Sequence, residues 1–221
     1  MNFSNGYLII INVFSKQIIN IVNKSIGKSP FKMGSKNTSK RNLKVFIFSN
    51  ILFSYAVGLF WPSYLIFINE MGGGIENFGF ALGLIALSGA LTYLIFGKYS
   101  DRIGRKPFLI IGGYASALIV LLYTLIDSVW QLYLIQIFSG VIVALFEISE
   151  QAFLGDVTRK DNRGSAYGKY YAILGIIEAI AIFSGGMLAE KFSFKIMAYI
   201  IAVICIIATS FMLKISERRS K

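Results

Sequence analysis

Long uncharged stretches alternate with short charged segments along the chain. The six stretches contain 18 to 25 residues each and lie at 45–69, 77–97, 107–126, 128–146, 170–189 and 196–213. One charge, Glu178, interrupts the fifth stretch. About 20 apolar residues in a helix cross the hydrocarbon core of a bilayer, and a helix satisfies its backbone hydrogen bonds within the segment. The pattern therefore predicts an all-α membrane protein with six transmembrane helices.

The cations favour alternate sides of these predicted spans. Twenty of the 22 Lys and Arg residues precede the first span, follow the sixth, or occupy the second and fourth connections; Lys191 and Lys195 are the exceptions. Short loops rich in Lys and Arg stay in the cytoplasm. We therefore expect a multi-pass protein of the plasma membrane with both termini in the cytoplasm.

The chain divides into three regions by composition. We expect a basic cytoplasmic leader at 1–44, a six-helix transmembrane domain at 45–214 and a cytoplasmic tail at 215–221. Within the leader, 7–26 repeats a polar residue every four positions opposite an apolar face, which predicts a helix lying in the membrane interface. The alternative is a disordered leader without a role.

Composition excludes several classes of chemistry. The chain has no histidine and a single cysteine, Cys205, so disulfide frameworks, Cys/His metal sites and His-based catalytic triads are absent. The sequence also lacks the clusters of Asp, Ser or Lys residues that membrane-embedded enzymes use. We therefore expect that the protein is not an enzyme and binds no cofactor or metal. Hydrophobic residues make up 56% of the chain, so its net charge of +11 points to anionic lipid headgroups rather than nucleic acid.

The connection between the second and third spans carries a specific motif. It runs from Gly97 to Pro107 as GKYSDRIGRKP. Gly104 permits a very short turn, and Pro107 suits the first turn of the following helix. The motif positions are Gly97, Asp101, Arg102, Gly104, Arg105 and Lys106.

This motif matches the G-x-x-x-D-R-x-G-R-K signature of the major facilitator superfamily. The loop from Gly155 to Gly168 also resembles the corresponding loop of that family. Residues 45–214 thus resemble the amino-terminal six-helix half of a transporter, closest to multidrug and drug:proton members. The resemblance implies that Asp101, Arg105 and Asp156 form a cytoplasmic charge network that gates alternating access of a small-molecule substrate.

The predicted interior of the bundle contains candidates for coupling and for the substrate path. Glu178 falls near mid-bilayer, where a carboxylate is costly and usually functional, so it is the candidate for proton coupling or cation binding. A buried neutral glutamate bonded to a neighbouring helix is the alternative. In the family, the first and fourth helices line the substrate path. The candidates on these helices are Asn50, Tyr55, Gln136 and Glu147.

Other polar and aromatic positions have competing interpretations. Gln136 occupies a position where many proton-coupled members of the family carry an arginine. This difference argues against proton coupling through that arginine. Glu147 and Glu150 are expected near the inner interface, solvated or at the mouth of a cavity. Trp61 and Tyr64 are expected in the interfacial aromatic belt, with a place on the substrate path as the alternative.

Small residues recur along one face of the second and the fifth spans. They are Gly79, Gly83, Ala86, Ala90 and Gly97, and then Gly168, Ala172, Gly175 and Ala179. We expect these stripes to contact a second six-helix half, with packing inside the same half as the alternative. That second half would be another copy of the chain or a separate chain. The competing hypothesis is a truncated or split remnant that serves as a non-transporting membrane scaffold.

Overall fold

The computed structural model describes residues 38–158 and 160–215, with the side chains of 38–40, 98–103 and 160 outside the description. It contains six long helices: α1 (Thr38–Glu70), α2 (Ile75–Ile103), α3 (Arg105–Leu122), α4 (Val129–Val157), α5 (Arg163–Ala189) and α6 (Phe194–Met212). Short 3-10 turns follow α3 and precede α5 at Tyr123–Leu125 and Lys160–Asn162. All six helices are long and apolar enough to span a membrane, which confirms the predicted all-α fold. The predicted interfacial helix at 7–26 lies outside the described residues.

The helices pack in the order α5, α1, α6, α3, α4, α2. Helix α1 contacts α5 and α6, α4 contacts α2 and α3, and α3 contacts α6. The first three helices therefore play the same packing roles as the last three, as expected of an inverted internal repeat. The arrangement leaves α2 and α5 at its two edges, and it leaves space between α1 and α4.

Close helix crossings depend on glycine. A Cβ atom at Gly58 of α1 would lie 2.6 Å from the carbonyl oxygen of Glu178 and 2.6 Å from Cβ of Ala181 on α5. At Gly113 of α3 it would collide with the Thr209 side chain of α6. Helices in lipid associate through close van der Waals packing, so these glycines set where the helices cross.

The turn between α2 and α3 is a single residue, Gly104. Its φ of 100° and ψ of 163° lie in a region that residues with a Cβ avoid. The short turn predicted from the motif is therefore present. We call the end of the bundle that contains Gly104 and the α4–α5 connection the motif end, and the end that contains residues 71–74 the far end.

All six helices extend past at least one end of the uncharged stretch that predicted them, most clearly α1 and α4. Helix α1 begins at Thr38, before Lys44, and α4 continues past Glu147 and Glu150 to Val157. A charged residue does not end a helix, because its side chain can reach water, a cavity or a polar partner while its backbone keeps the helical hydrogen bonds. Charge thus predicted the spans well and their ends less well.

Candidate functional site

A cavity of about 570 Å³ lies among the helices, with most of its wall supplied by α1, α3, α4 and α5. Pockets for drug-sized ligands usually measure about 300–1,000 Å³. The wall of the cavity is mainly apolar and aromatic, with a small number of polar groups. Its aromatic members are Phe53, Phe60, Trp61, Tyr123, Phe146 and Tyr171.

Three carboxylates line this cavity. Glu147 and Glu150 lie one turn apart on α4, and Glu178 lies on α5, where that helix crosses Gly58. A neighbouring pocket of about 420 Å³ shares Glu147, Glu150 and Tyr171 with the cavity. Open space therefore continues from the cavity past the two α4 carboxylates toward the motif end.

Tyrosines bind two of the carboxylates. The Tyr93 hydroxyl donates a hydrogen bond to Glu147, and the Tyr170 hydroxyl donates one to Glu150. Glu150 is only 8% exposed, so the expected solvated position is wrong, and the alternative of a place beside a cavity is the one that the structure shows. The difference arises because α5 packs its tyrosines over this turn of α4, a contact that no local pattern reveals.

Glu178 is half-buried on the cavity wall. Within the described part of the chain its carboxylate has neither a hydrogen-bond donor nor a cation beside it. The alternative of a neutral glutamate bonded to a neighbouring helix is therefore not what the structure shows. Glu178 instead presents an unpartnered carboxylate to the cavity.

A buried network of hydrogen bonds joins α1, α4 and the turn after α3 near the far end. Gln136, fully buried on α4, donates from its amide nitrogen to the Tyr64 hydroxyl, and its oxygen accepts a hydrogen bond of 2.8 Å from Tyr123. Tyr64 is 0% exposed, so the expectation that it belongs to an interfacial aromatic belt is wrong. Trp61, one turn earlier on α1, lines the cavity and is 37% exposed.

The four residues predicted for the substrate path have different positions. Asn50 and Glu147 lie on the cavity wall. Tyr55 packs against the hydrophobic core, and its neighbours Ser54 and Val57 face the cavity instead. Gln136 lies behind Tyr123 and is not a wall residue. Helical geometry explains why Tyr55 and Ser54 differ in this respect, since adjacent residues on a helix point about 100° apart.

The motif end brings some of the predicted charge network together. The Arg105 Nε atom lies 3.3 Å from Asp156 Oδ2, which joins the start of α3 to the end of α4. Lys106 donates a hydrogen bond of 2.9 Å to the Leu213 carbonyl, which joins α3 to the end of α6. The side chains of Asp101 and Arg102 lie outside the described residues. Because Asp156 is 61% exposed, the ion pair contributes about 0–1 kcal/mol to stability.

The two small-residue stripes have no described helix packed on them, and Gly175 of the α5 stripe also borders the cavity. A Cβ atom at Gly79, Gly83, Gly97, Gly168 or Gly175 would have no described atom within 4 Å, other than those of its own helix backbone and its chain neighbours. The alanines of both stripes are exposed as well. The alternative that these stripes pack within the same half therefore fails. They form open faces on the two edge helices.

These features define a helical membrane protein with an internal cavity, and comparison with known proteins gives its family. The family model described as "Major Facilitator Superfamily" matches residues 46–221. The chain belongs to this superfamily, as its motif predicted.

Curated relatives include both short and long proteins. The MFS-type transporter YitZ of Bacillus subtilis is 31% identical over 160 residues, which are 72% of this chain and 98% of YitZ. The inner membrane transport protein YajR of Escherichia coli is 32% identical over 169 residues, 75% of this chain and 34% of YajR. The multi-drug resistance efflux pump PmrA of Streptococcus pneumoniae is 28% identical over 160 residues, 71% of this chain and 40% of PmrA. The chain thus spans well under half the length of the longer relatives.

Proposed function

We propose that this protein is a transport subunit that moves a small molecule across the membrane by alternating access, together with a second six-helix half. The observation that carries the proposal is the cavity, whose wall combines aromatic side chains with Glu147, Glu150 and Glu178. Carboxylates within a membrane bundle usually face an interior or a water-filled path and mark the route of an ion or substrate.

A second half is needed because exposing the cavity wall to lipid would be energetically unfavourable. Contacts between α1 and α4 are sparse, so the described part of this chain does not close the cavity between them. A carboxylate facing hydrocarbon would be unfavourable by several kcal/mol. A partner that covers the cavity and packs on the open stripes of α2 and α5 would remove that cost.

A second copy of this chain is our first candidate for the partner. Two parallel copies related by an axis along the membrane normal would place α2 of each against α5 of the other, which pairs one small-residue stripe with the other. YitZ supports the choice, since the region aligned with this chain makes up nearly all of that protein. A separately encoded half is the alternative.

We further propose that Asp101, Arg105 and Asp156 form the gate at the cytoplasmic side. The contact between Arg105 and Asp156 supports this role, because it joins α3 to α4 through an ion pair whose Asp156 carboxylate is exposed, so that water can replace the contact at small cost. A gate must close and open repeatedly, and a weak ion pair with one exposed partner is suited to that cycle.

The names of relatives favour drug export as the direction of transport. PmrA is a multi-drug efflux pump, and a tetracycline resistance protein of Pasteurella multocida is 27% identical over 153 residues. We propose Glu178 as the coupling group, because a carboxylate on the cavity wall can exchange a proton with either side as the cavity changes access.

Flux measurements test the proposal. The purified chain is reconstituted in vesicles with an imposed pH gradient and supplied with tetracycline, chloramphenicol and ethidium, which differ in charge. We expect gradient-dependent flux of at least one compound, lost when an ionophore collapses the gradient. Asp156→Asn should lower that flux severalfold with little change in thermal stability, whereas Glu190→Gln, an exposed carboxylate at the far end, should not. Absence of flux for all three compounds, also after co-expression with a neighbouring six-helix gene, would favour the scaffold hypothesis.

A further inference from the structure

The sign of charge in the cavity is opposite to that of the whole chain. The chain carries a net charge of +11, yet the charged residues on the described cavity wall are all carboxylates: Glu147, Glu150 and Glu178. The described Lys and Arg side chains lie elsewhere. Such a wall repels anions and raises the local concentration of cations.

The three carboxylates differ in how far they are already satisfied. Glu150 is buried and accepts the Tyr170 hydroxyl, and Glu147 accepts the Tyr93 hydroxyl. Glu178 has no such donor among the described residues. An ionised carboxylate in a site of low polarity needs a partner, so Glu178 is the group most in need of an external positive charge.

Aromatic side chains beside these carboxylates favour an organic cation. Trp61 and Phe60 belong to the wall on α1, and their ring centroids are 6.0 Å apart. The faces of aromatic rings attract cations through their quadrupole, with tryptophan the strongest. Gly58, one turn before Trp61, packs against the backbone of Glu178, so the aromatic wall and the unpartnered carboxylate lie in the same part of the cavity.

We propose that this cavity binds an amphipathic organic cation, with Glu178 as its principal counter-ion, Glu147 as a secondary one and Trp61 as an aromatic contact. The inference rests on the proposed transport function and names its substrate class. A proton and the cation would then compete for Glu178, which links binding to the proposed coupling. A metal ion fits less well, because it needs several converging oxygen ligands and the described residues contain no group of three acidic side chains placed to hold one.

Two ions of equal size and opposite charge test the proposal. Tetraphenylphosphonium and tetraphenylborate share the same four-ring shape, so a difference in binding reports charge rather than volume. The unaltered full chain in nanodiscs is equilibrated with each ion, and binding to empty nanodiscs is subtracted. We expect tetraphenylphosphonium to bind saturably and to quench the fluorescence of Trp61. Its affinity should be at least about tenfold higher than that of tetraphenylborate. Because Trp130 is also present, the quenching is repeated in Trp130→Phe.

Conservative variants locate the counter-ion. Glu178→Gln should weaken tetraphenylphosphonium binding about tenfold and leave tetraphenylborate binding unchanged or stronger, and Glu178→Asp should restore most of the affinity. Glu147→Gln should have a smaller effect. Glu190→Gln, an exposed carboxylate near the end of the same helix, is the matched control and should bind as the unaltered chain does.

Three results would overturn the proposal. The first is equal affinity of the unaltered chain for the two ions, a comparison that does not depend on the folding of any variant. The second is unchanged tetraphenylphosphonium affinity when all three cavity glutamates are replaced by glutamine. The third is a larger loss in Glu147→Gln than in Glu178→Gln, which would contradict the role of Glu178. Binding is measured without flux, so a chain that binds the cation but moves no compound would reject the transport function and retain this site.

Discussion

At the scale of single residues, Gln136 has a structural role at a position where the sequence differs from its family. An arginine is common at this position in proton-coupled members of the family. The structure places the Gln136 side chain in full burial, where it bonds Tyr64 on α1 and Tyr123 after α3. The glutamine thus satisfies two buried hydroxyls, and its contribution is to join three parts of the bundle.

Replacing this glutamine should lower stability. Gln136→Leu would leave the Tyr64 and Tyr123 hydroxyls without their partner, and a buried polar group without a hydrogen bond costs about 1–3 kcal/mol. The measurement is thermal unfolding of the purified chain in detergent, followed by circular dichroism. Gln151→Leu is the control, because Gln151 is exposed on the same helix. Equal midpoints for the two variants would contradict the assigned role.

At the scale of helices, the decisive feature is the crossing of α1 and α5 at Gly58. The uncharged stretches predicted both helices, but the crossing point depends on a contact between residues 120 positions apart, Gly58 and Glu178. It also explains why Glu178 faces the cavity, since the backbone of α5 is held against α1 at that residue. The uncharged residues 170–177 and 179–189 on either side of Glu178 predict its depth in the membrane, and they say nothing about the face of the helix on which it lies.

A methyl group at this crossing should separate the helices. Gly58→Ala would place Cβ 2.6 Å from a backbone carbonyl oxygen, which cannot move aside as a flexible side chain does. Overpacking of this kind costs about 1–3 kcal/mol. Gly186→Ala on α5 is the matched control, because a Cβ there meets no other described part of the chain within 4 Å and alanine favours the helix. The two thermal midpoints should therefore shift in opposite directions, and a stable Gly58→Ala variant would refute the close crossing.

At the scale of the whole molecule, the open faces of α2 and α5 are the surfaces on which a partner would pack. These edge helices bury the smallest share of their surface, and their small-residue stripes have no neighbour within the described chain. Small residues at such a face allow two backbones to approach closely. Lipid can cover an apolar face, but it cannot satisfy the carboxylates of the cavity that lies between them.

Cysteine cross-linking tests the proposed pairing of two copies. Ala86 on α2 and Ala179 on α5 are exposed and lie eleven and ten residues from the far ends of their helices, so they are at similar depth. In a Cys205→Ala background, membranes containing Ala86→Cys and Ala179→Cys copies together should form a disulfide-linked dimer. Leu118→Cys, exposed on α3, is the control and should stay monomeric with either variant. Equal cross-linking at Leu118 would indicate random collision, and cross-linking at none would favour a separately encoded partner.

The sequence by itself determined the six spans, the tight turn at Gly104 and the superfamily, because each depends on local composition or on contiguous spacing. It also indicated the contact of Arg105 with Asp156 through the family resemblance. Only the tertiary structure decided that Glu150 is buried under Tyr170, that Tyr55 faces the core, and that the two stripes remain open. These features depend on how each helix is rotated about its axis. That rotation is fixed by contacts between distant helices, which the uniformly apolar stretches leave undetermined.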